Sequence, residues 1–214
     1  MGRYTALIVI VIAAVLVAAG YIYMSGMLSE RTFRGQELTT PLEAYDFTLI
    51  DQYGNKVSLS DFRGKIIAVS FVYTHCPDIC PRIVLEMAKA YRELEKMGLT
   101  DDVVFVLVSV DPERDTPEQF REWSKALNAE EFVYLTGSYE DVSMVWKNYG
   151  IYVEKQNMTG GMPGGHGEHT GYIVSHTPVV YLIDRDFMMR IILAGVPPDW
   201  SYQDLVNDIE LLLG

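Results

Sequence analysis

Apolar runs and helical or alternating periods divide the chain into an N-terminal apolar segment and a domain of alternating strands and helices. From Tyr4 to Tyr23, twenty consecutive residues carry no charge. At about 1.5 Å per residue, such a helix spans a bilayer core of about 30 Å. Tyr4, Tyr21 and Tyr23 stand where an aromatic belt would lie, and Arg3 is the only charged side chain before them. We therefore predict a membrane anchor at residues 1–24, with the N-terminus inside and the domain outside the cytoplasm.

A cleaved signal peptide is the alternative for this segment, because Ala18, Ala19 and Gly20 offer small residues near a possible cleavage point. The apolar run is longer than the roughly 7 to 15 residues of a signal-peptide core, which favours an uncleaved anchor. In both cases the domain is exported, and its cysteines meet an environment in which oxidation is possible. Residues 25–44 have no sustained period and are predicted to be a tether.

From residue 45 to 214, the pattern predicts one α/β domain. Near-continuous apolar runs indicate buried strands, and apolar residues at helical spacing indicate helices. The predicted strands are 47–50, 56–59, 66–73, 103–110, 132–135, 179–184 and 189–194, and the predicted helices are 82–97, the segment after Thr116, 139–149 and 201–213. An irregular, glycine-rich insertion is expected from Gly150 to Ser175. An N-terminal β-hairpin, a βαβ core, a second hairpin and a terminal helix predict a thioredoxin-like fold, a central mixed sheet flanked by helices.

Composition and charge exclude several classes of protein. The 214 residues are 49% hydrophobic and 21% charged, which is too apolar for a disordered chain and too mixed for a polytopic membrane protein. Arg3 is the only one of the 17 Lys and Arg within residues 1–24, which leaves 16 against 29 Asp and Glu, a net charge of −13. Because phosphate binding needs clustered basic residues, we expect no nucleic-acid partner.

Both cysteines lie between a predicted buried strand and a predicted helix, in the segment Thr74-His75-Cys76-Pro77-Asp78-Ile79-Cys80-Pro81. At such a junction the backbone N–H groups and the positive helix end lower the pKa of a thiol. Pro81 suits a first helical turn, so Cys80 is expected to begin the helix and Cys76 to lie on the preceding turn. The two sulfurs could bind one soft ion such as Cu(I), or close a disulfide. A purely structural disulfide is the weaker alternative, since so short a loop restrains the unfolded chain little.

His176 is the candidate third ligand of a metal site. It stands just before the predicted strand 179–184, whose start lies against the cysteine turn in the thioredoxin order of elements. A lone histidine at a strand start is more often an ordinary surface or core residue, but the cysteine pair favours a ligand here. A neutral imidazole beside two thiolates could hold Cu(I), and Cu(II) with an added ligand.

Five segments in order resemble the Sco (SenC/PrrC) family of membrane-tethered copper proteins. The segments are FTL at 47–49 with Asp51-Gln52, SLSDFRGK at 58–65, YTHCPDICP at 73–81, VDPERDTPE at 110–118 and GYIVSH at 171–176. The resemblance covers about residue 45 to the end and implies a thioredoxin-like fold with Cys76, Cys80 and His176 as copper ligands. It also implies a metallochaperone that delivers copper to, or reduces the cysteines of, the binuclear copper centre of cytochrome c oxidase subunit II.

Two features near His176 bear on the alternative function. The family commonly has aspartate before this histidine, and Ser175 in its place could alter loop order or copper affinity. Pro178 is similar to the cis-proline that faces the cysteines of thioredoxins, which favours thiol exchange. The alternative is therefore a thiol–disulfide oxidoreductase without metal, with Cys76 and Cys80 as the redox-active pair and Cys76 attacking. A peroxiredoxin is disfavoured by the three-residue spacer between the cysteines.

Other polar residues near these motifs have competing interpretations. Asp78 is predicted to cap the helix that follows it, with tuning of the site as the alternative. His75 should point away from Cys76, and Asp111-Pro112 is interpreted first as a turn before the helix cap. The glycine-rich insertion could capture copper transiently or be an ordinary solvated loop. Its candidate ligands are Met158, Met162, His166 and His169.

Overall fold

The computed structural model describes residues 2–27, 32–157 and 171–214. The chain divides into two compact units, with the boundary between Thr32 and Phe33. The first unit contains helix α1, Gly2–Met27. Across the described ranges, no helix is both long enough and apolar enough to cross a membrane.

The second unit contains ten strands and four further helices among its described residues. The strands are β1 (Gln36–Glu43), β2 (Thr48–Asp51), β3 (Lys56–Ser58), β4 (Ile66–Val72), β5 (Val103–Ser109), β6 (Val133–Thr136), β7 (Val153–Asn157), β8 (Tyr172–His176), β9 (Val179–Ile183) and β10 (Met188–Ala194). The helices are α2 (Ile79–Lys96), α3 (Pro117–Leu127), α4 (Tyr139–Asn148) and α5 (Tyr202–Leu213), with short 3-10 helices at Leu59–Phe62 and Thr100–Asp102.

Eight of the strands form one mixed sheet in the order β1-β10-β9-β4-β5-β6-β2-β3. The pairs β4–β5 and β5–β6 are parallel, and the other pairs are antiparallel. Every residue of β4 is buried, as expected for an apolar strand covered on both faces. Val72 pairs with Ser109, so β4 and β5 end at the same edge of the sheet. The segment that carries the cysteines leaves the sheet at this edge.

Local sequence signals account for the helix boundaries near the site. The side chain of Thr116 accepts a hydrogen bond from the Gln119 backbone at 3.2 Å, and Pro117 occupies the first turn of α3, as predicted. Ser201 caps α5 in the same way and forms a capping box with Asp204. Helix α2 begins at Ile79, three residues before its predicted start at residue 82.

The edge strand β1 was not predicted. Residues 36–43 fall within the segment 25–44, whose sequence predicts an irregular tether, and that prediction is wrong for these residues because they pair with β10. A buried carboxylate binds the backbone just before this strand. Asp208 of α5 accepts hydrogen bonds from the backbone N–H groups of Arg34 at 2.7 Å and Gly35 at 2.8 Å. These contacts depend on residues more than 170 positions apart, which no local period can indicate.

The insertion from residue 150 to 175 is also more regular than predicted. Its two ends form β7 and β8, which pair with each other in a separate antiparallel sheet, with Val153 opposite His176. Residues 158–170 lie outside the described residues. The predicted copper-capturing segment with Met158, Met162, His166 and His169 falls within them, so it stays a prediction.

Candidate functional site

The two cysteines lie where β4 ends and α2 begins. We call residues 73–78 between these elements the cysteine loop. Cys76 lies on this loop, where its backbone N–H donates to the Tyr73 carbonyl at 3.2 Å, and Cys80 lies in the first turn of α2. This placement agrees with the prediction from Pro81. Both cysteines are free thiols, Cys76 half-buried and Cys80 fully buried.

The two cysteine thiols have different pKa values because their surroundings differ. The Cys76 sulfur accepts the Cys80 backbone N–H at 3.2 Å. Hydrogen bonds from the Cys80 thiol, and from the backbones of Cys80 and Asp78, lower the pKa of Cys76 to about 6 against the opposing effect of burial. Burial raises the pKa of Cys80 well above its usual value, and the neighbouring Cys76 adds to this effect. At neutral pH, therefore, Cys76 carries the thiolate and Cys80 the proton.

His176 reaches the cysteines from the end of β8. Its Nε2 atom lies 3.9 Å from the Cys80 sulfur and donates a hydrogen bond to the Phe71 carbonyl at 3.0 Å. The ring packs edge-on against Tyr73, with ring centroids 5.9 Å apart. Burial lowers the pKa of His176, so the imidazole is neutral at pH 7. The sequence-based expectation that this histidine lies against the cysteine turn is confirmed.

The donor set suits a soft ion. Metal–ligand bonds of about 2.3 Å to sulfur and about 2.0 Å to nitrogen together exceed the 3.9 Å that separates Cys80 Sγ from His176 Nε2, so both atoms can contact one ion. To bind it through Nε2, the neutral imidazole must break its bond to the Phe71 carbonyl and carry its single proton on Nδ1. Among the described residues, no group of three His, Cys, Asp or Glu side chains is gathered closely enough to be identified as a metal site.

A cleft of about 270 Å³ gives access to the site. It is lined by residues 73 and 76–79 on one side and by residues 173–176 on the other. Cys76 and His176 both line it, whereas Cys80 does not. A partner molecule would therefore meet the more acidic thiol first.

The structure bears on three further sequence-based interpretations. Asp78 precedes α2, but its side chain makes no capping bond and faces Arg82 at 3.8 Å. His75 is exposed, and its Nδ1 lies 3.0 Å from Thr74 Oγ1. The only cis peptide bond in the described ranges joins Pro197 and Pro198, so the likeness of Pro178 to the thioredoxin cis-proline is wrong.

Sequence reasoning missed a set of polar residues that support the site. Asp111, whose sequence predicts first a turn, is fully buried and pairs with Arg114. Asp115 is also buried and accepts hydrogen bonds from the backbone N–H and hydroxyl of Thr74, at 3.0 and 2.7 Å. Both aspartates belong to the segment 110–118 that carries the family resemblance, which is the only sequence signal that could have found them.

The acidity of Cys76 predicts its reactivity. In the reduced, metal-free protein we expect iodoacetamide to alkylate Cys76 at a rate that rises between pH 5 and 7 and is half-maximal near its pKa of about 6, because the thiolate is the nucleophile. Cys80 should stay unmodified over this range. Peptide mass spectrometry measures both rates, with Cys76→Ser as the control. Equal labelling of both cysteines, or a midpoint near the usual cysteine pKa of about 8.5, would contradict this expectation.

The fold and site together define a class of protein: a thioredoxin-like α/β domain with two thiols and a neutral histidine at one edge of its sheet. The SCO1/SenC family is matched over residues 35–210. The chain belongs to this family.

Known relatives agree with this assignment. The chain is 32% identical over 153 residues to the protein SCO1 homolog, mitochondrial, of Homo sapiens, covering 72% of this chain and 48% of that protein. The copper-bound crystal structure of Arabidopsis thaliana ScoI is similar at 30% identity and a TM-score of 0.67, over 80% of this chain and 98% of that one. BsSco, described as a member of the Sco family of cytochrome c oxidase assembly proteins with a disulfide switch, is similar at 26% identity and a TM-score of 0.60, over 82% and 96% of the two chains. The chain spans 39–50% of the length of three curated relatives it matches.

Proposed function

We propose that this chain binds copper through Cys76, Cys80 and His176 and serves as a copper metallochaperone in the assembly of cytochrome c oxidase. The observation that carries the proposal is the approach of the His176 nitrogen to the Cys80 sulfur at 3.9 Å, beside a second sulfur of lowered pKa. Membership of the SCO1/SenC family and the copper-bound relative from Arabidopsis thaliana support it.

The chemistry of the three residues favours copper over harder ions. Thiolate sulfur is a soft donor that prefers Cu(I), and an imidazole that is neutral at pH 7 supplies the third ligand without first losing an acidic proton. Cys80 keeps its proton in the metal-free protein because it is buried. Copper binding therefore requires deprotonation of Cys80, and uptake should release at least one proton.

We extend the proposal to the partner and the location. The recipient is the binuclear copper centre of cytochrome c oxidase subunit II, to which the chain donates copper or whose cysteines it reduces. The uncharged run at residues 4–23 anchors the chain in the membrane with the domain on the extracytoplasmic side. This part of the proposal rests on the sequence pattern and on the family resemblance.

A Cu(II) spectrum tests the proposed ligands directly. Full-length protein in nonionic detergent, reduced and then loaded with one equivalent of Cu(II), should show intense thiolate-to-copper charge transfer in the visible range. Electron paramagnetic resonance of the same sample should show hyperfine coupling to one nitrogen. A spectrum with only nitrogen and oxygen ligands would contradict the proposal, and so would copper that a weak chelator removes completely.

Thiol–disulfide exchange is a second candidate, favoured by the opposite pKa changes of the two cysteines. The Cys76 thiolate would attack a partner disulfide, forming a mixed disulfide and releasing one partner thiolate. Cys80, on losing its proton, would then attack the Cys76 sulfur and release the second partner thiolate. The partner gains two electrons, and a Cys76–Cys80 disulfide remains. The pH-dependent alkylation of Cys76 described above is the first requirement of this function.

A further inference from the structure

The proposed site is assembled from two separate parts of the chain. The cysteine loop and α2 carry the sulfurs, whereas the imidazole arrives on β8. The hairpin of β7 and β8 forms its own two-stranded sheet and is not paired with the eight-stranded sheet. The main sheet resumes only at Val179 of β9, three residues after His176. No backbone pairing of β8 with the main sheet fixes the position of His176, so side-chain contacts contribute to it.

Arg114 contacts β8 through Tyr172 in two ways. Its Nη1 donates to the Tyr172 carbonyl at 3.1 Å, and its guanidinium carbon lies 3.8 Å from the centroid of the Tyr172 ring. The same guanidinium pairs with the buried carboxylate of Asp111, and the Tyr172 hydroxyl donates to that carboxylate at 2.7 Å. Arg114, Asp111 and Tyr172 therefore each contact the other two. Arginine suits this arrangement because its planar guanidinium stacks on the tyrosine ring while its forked N–H groups donate to two acceptors.

The residues around Arg114 also hold the cysteine loop. The next residue, Asp115, accepts both hydrogen bonds of Thr74, two positions before Cys76. Tyr73 of the loop accepts the Val174 backbone N–H on its hydroxyl at 3.4 Å, and its ring lies 6.0 Å from the Arg114 guanidinium. The short segment after β5 thus contacts both parts of the site.

One other polar contact between the hairpin and the segment after β5 is weaker. Lys155 of β7 lies 2.6 Å from Glu113, but both side chains are substantially exposed, and exposed ion pairs contribute little. Arg114 is about three-quarters buried, and its Nη2 atom is buried with no hydrogen-bond partner in the described part of the chain. A buried ion pair that leaves one donor unsatisfied is weak evidence that the pair stabilises the fold. Such pairs are known instead to fix the position of one structural element against another.

We propose that Arg114 is a positioning residue that holds β8 against the cysteine loop and so keeps His176 within reach of the Cys80 sulfur. The consequence for copper rests on the proposed function, but the consequence for β8 does not. The experiment therefore has one arm with copper and one without.

Arg114→Lys is the main variant, because lysine keeps a positive charge beside buried Asp111. Its compact ammonium group cannot stack as a plane on Tyr172 and lacks the rigid fork of donors with which the guanidinium reaches both partners. Tyr172→Phe is the second variant and removes only the hydroxyl that bonds Asp111. The matched control is Arg121→Lys, since Arg121 also joins a backbone carbonyl, that of Gln52, to a carboxylate, that of Glu118, but lies on α3.

The first arm measures amide hydrogen exchange in the metal-free, full-length protein. In Arg114→Lys, exchange of the β7 and β8 amides should accelerate about tenfold or more, while β4 and β5 keep their protection. Tyr172→Phe should give a smaller increase, and Arg121→Lys none in this hairpin. Unchanged exchange in both Arg114→Lys and Tyr172→Phe would overturn the proposal, and so would acceleration spread equally over the whole domain.

The second arm uses the Cu(II)-loaded protein. Arg114→Lys should keep the thiolate-to-copper absorption but lose most of the nitrogen hyperfine coupling, and should bind copper roughly 10- to 100-fold more weakly. Adding His176→Ala should then cost little more, since both changes remove the same ligand. An unchanged nitrogen signal, or full additivity of the two substitutions, would overturn the proposal. If the wild-type protein fails to bind copper, the proposed function fails, and the exchange arm still decides the role of Arg114.

Discussion

Cys80→Ser is expected to abolish tight copper binding and to raise the dissociation constant by more than about 100-fold. This loss exceeds the roughly 10- to 100-fold weakening expected when a residue that only hydrogen-bonds a metal ligand is replaced. Cys80 is the residue that contacts both other candidate ligands: its sulfur lies 3.9 Å from His176 Nε2, and its backbone N–H donates to the Cys76 sulfur. A serine hydroxyl at this buried position is a hard donor that does not form a thiolate-like bond to Cu(I). Competition with a Cu(I)-specific chelator under anaerobic conditions measures the change.

His176→Ala should weaken copper binding less, because both sulfurs remain. The matched control is His75→Ala, which removes an exposed histidine beside the same loop. This control should bind copper like the wild type. If His75→Ala and His176→Ala weaken binding equally, or if Cys80→Ser binds copper normally, the ligand assignment is wrong.

The same variants separate the two candidate functions. Thiol exchange needs both cysteines but not the imidazole, so His176→Ala should still reduce a model disulfide. Cys80→Ser should stop at the mixed disulfide between Cys76 and the partner, since no second thiol is present to release it. A His176→Ala protein that loses copper binding but keeps exchange would show that the chain can perform the two reactions independently.

Asp115 is expected to make the stability of the domain decline as pH rises. Burial raises the pKa of Asp115 from the usual 3.8 to about 6, against hydrogen bonds from Ser109 and Thr74 that favour the charged form. Between these two pH values the unfolded chain is already ionised while the folded protein still holds the proton. The free energy of unfolding therefore falls over this window, by roughly 3 kcal/mol in total, and levels off above the folded pKa.

The comparison of wild type with Asp115→Asn isolates this effect, because all other titrating groups are common to both proteins. The stability of the wild type relative to Asp115→Asn should fall as pH rises from 4 to 7. Urea unfolding of the full chain in nonionic detergent, followed by tryptophan fluorescence, measures both free energies. Asp186→Asn, at an exposed position, controls for the loss of one negative charge. A difference that stays constant from pH 4 to 7 would contradict the expectation.

The sequence-based predictions are accurate where an element is determined by neighbouring residues and fail where it depends on residues far away in the sequence. The buried strand β4 and the cap of α3 were predicted well, because a continuous apolar run and the Thr116–Gln119 pair are local signals. Strand β1 and the β7–β8 hairpin were missed, because their exposed residues show no clear alternation. Their pairing depends on partners elsewhere in the chain.

The amino-acid sequence by itself determined the two thiols at a strand-to-helix junction, the order of the main strands and helices, the acidic charge and the resemblance to copper proteins. Each of these follows from neighbouring residues or from short motifs. Only the tertiary structure decided that the His176 nitrogen lies 3.9 Å from the Cys80 sulfur, that the two cysteines differ in acidity, and that Arg114 joins β8 to the segment after β5. The physical reason is that burial and side-chain contacts between distant segments arise only when the chain folds.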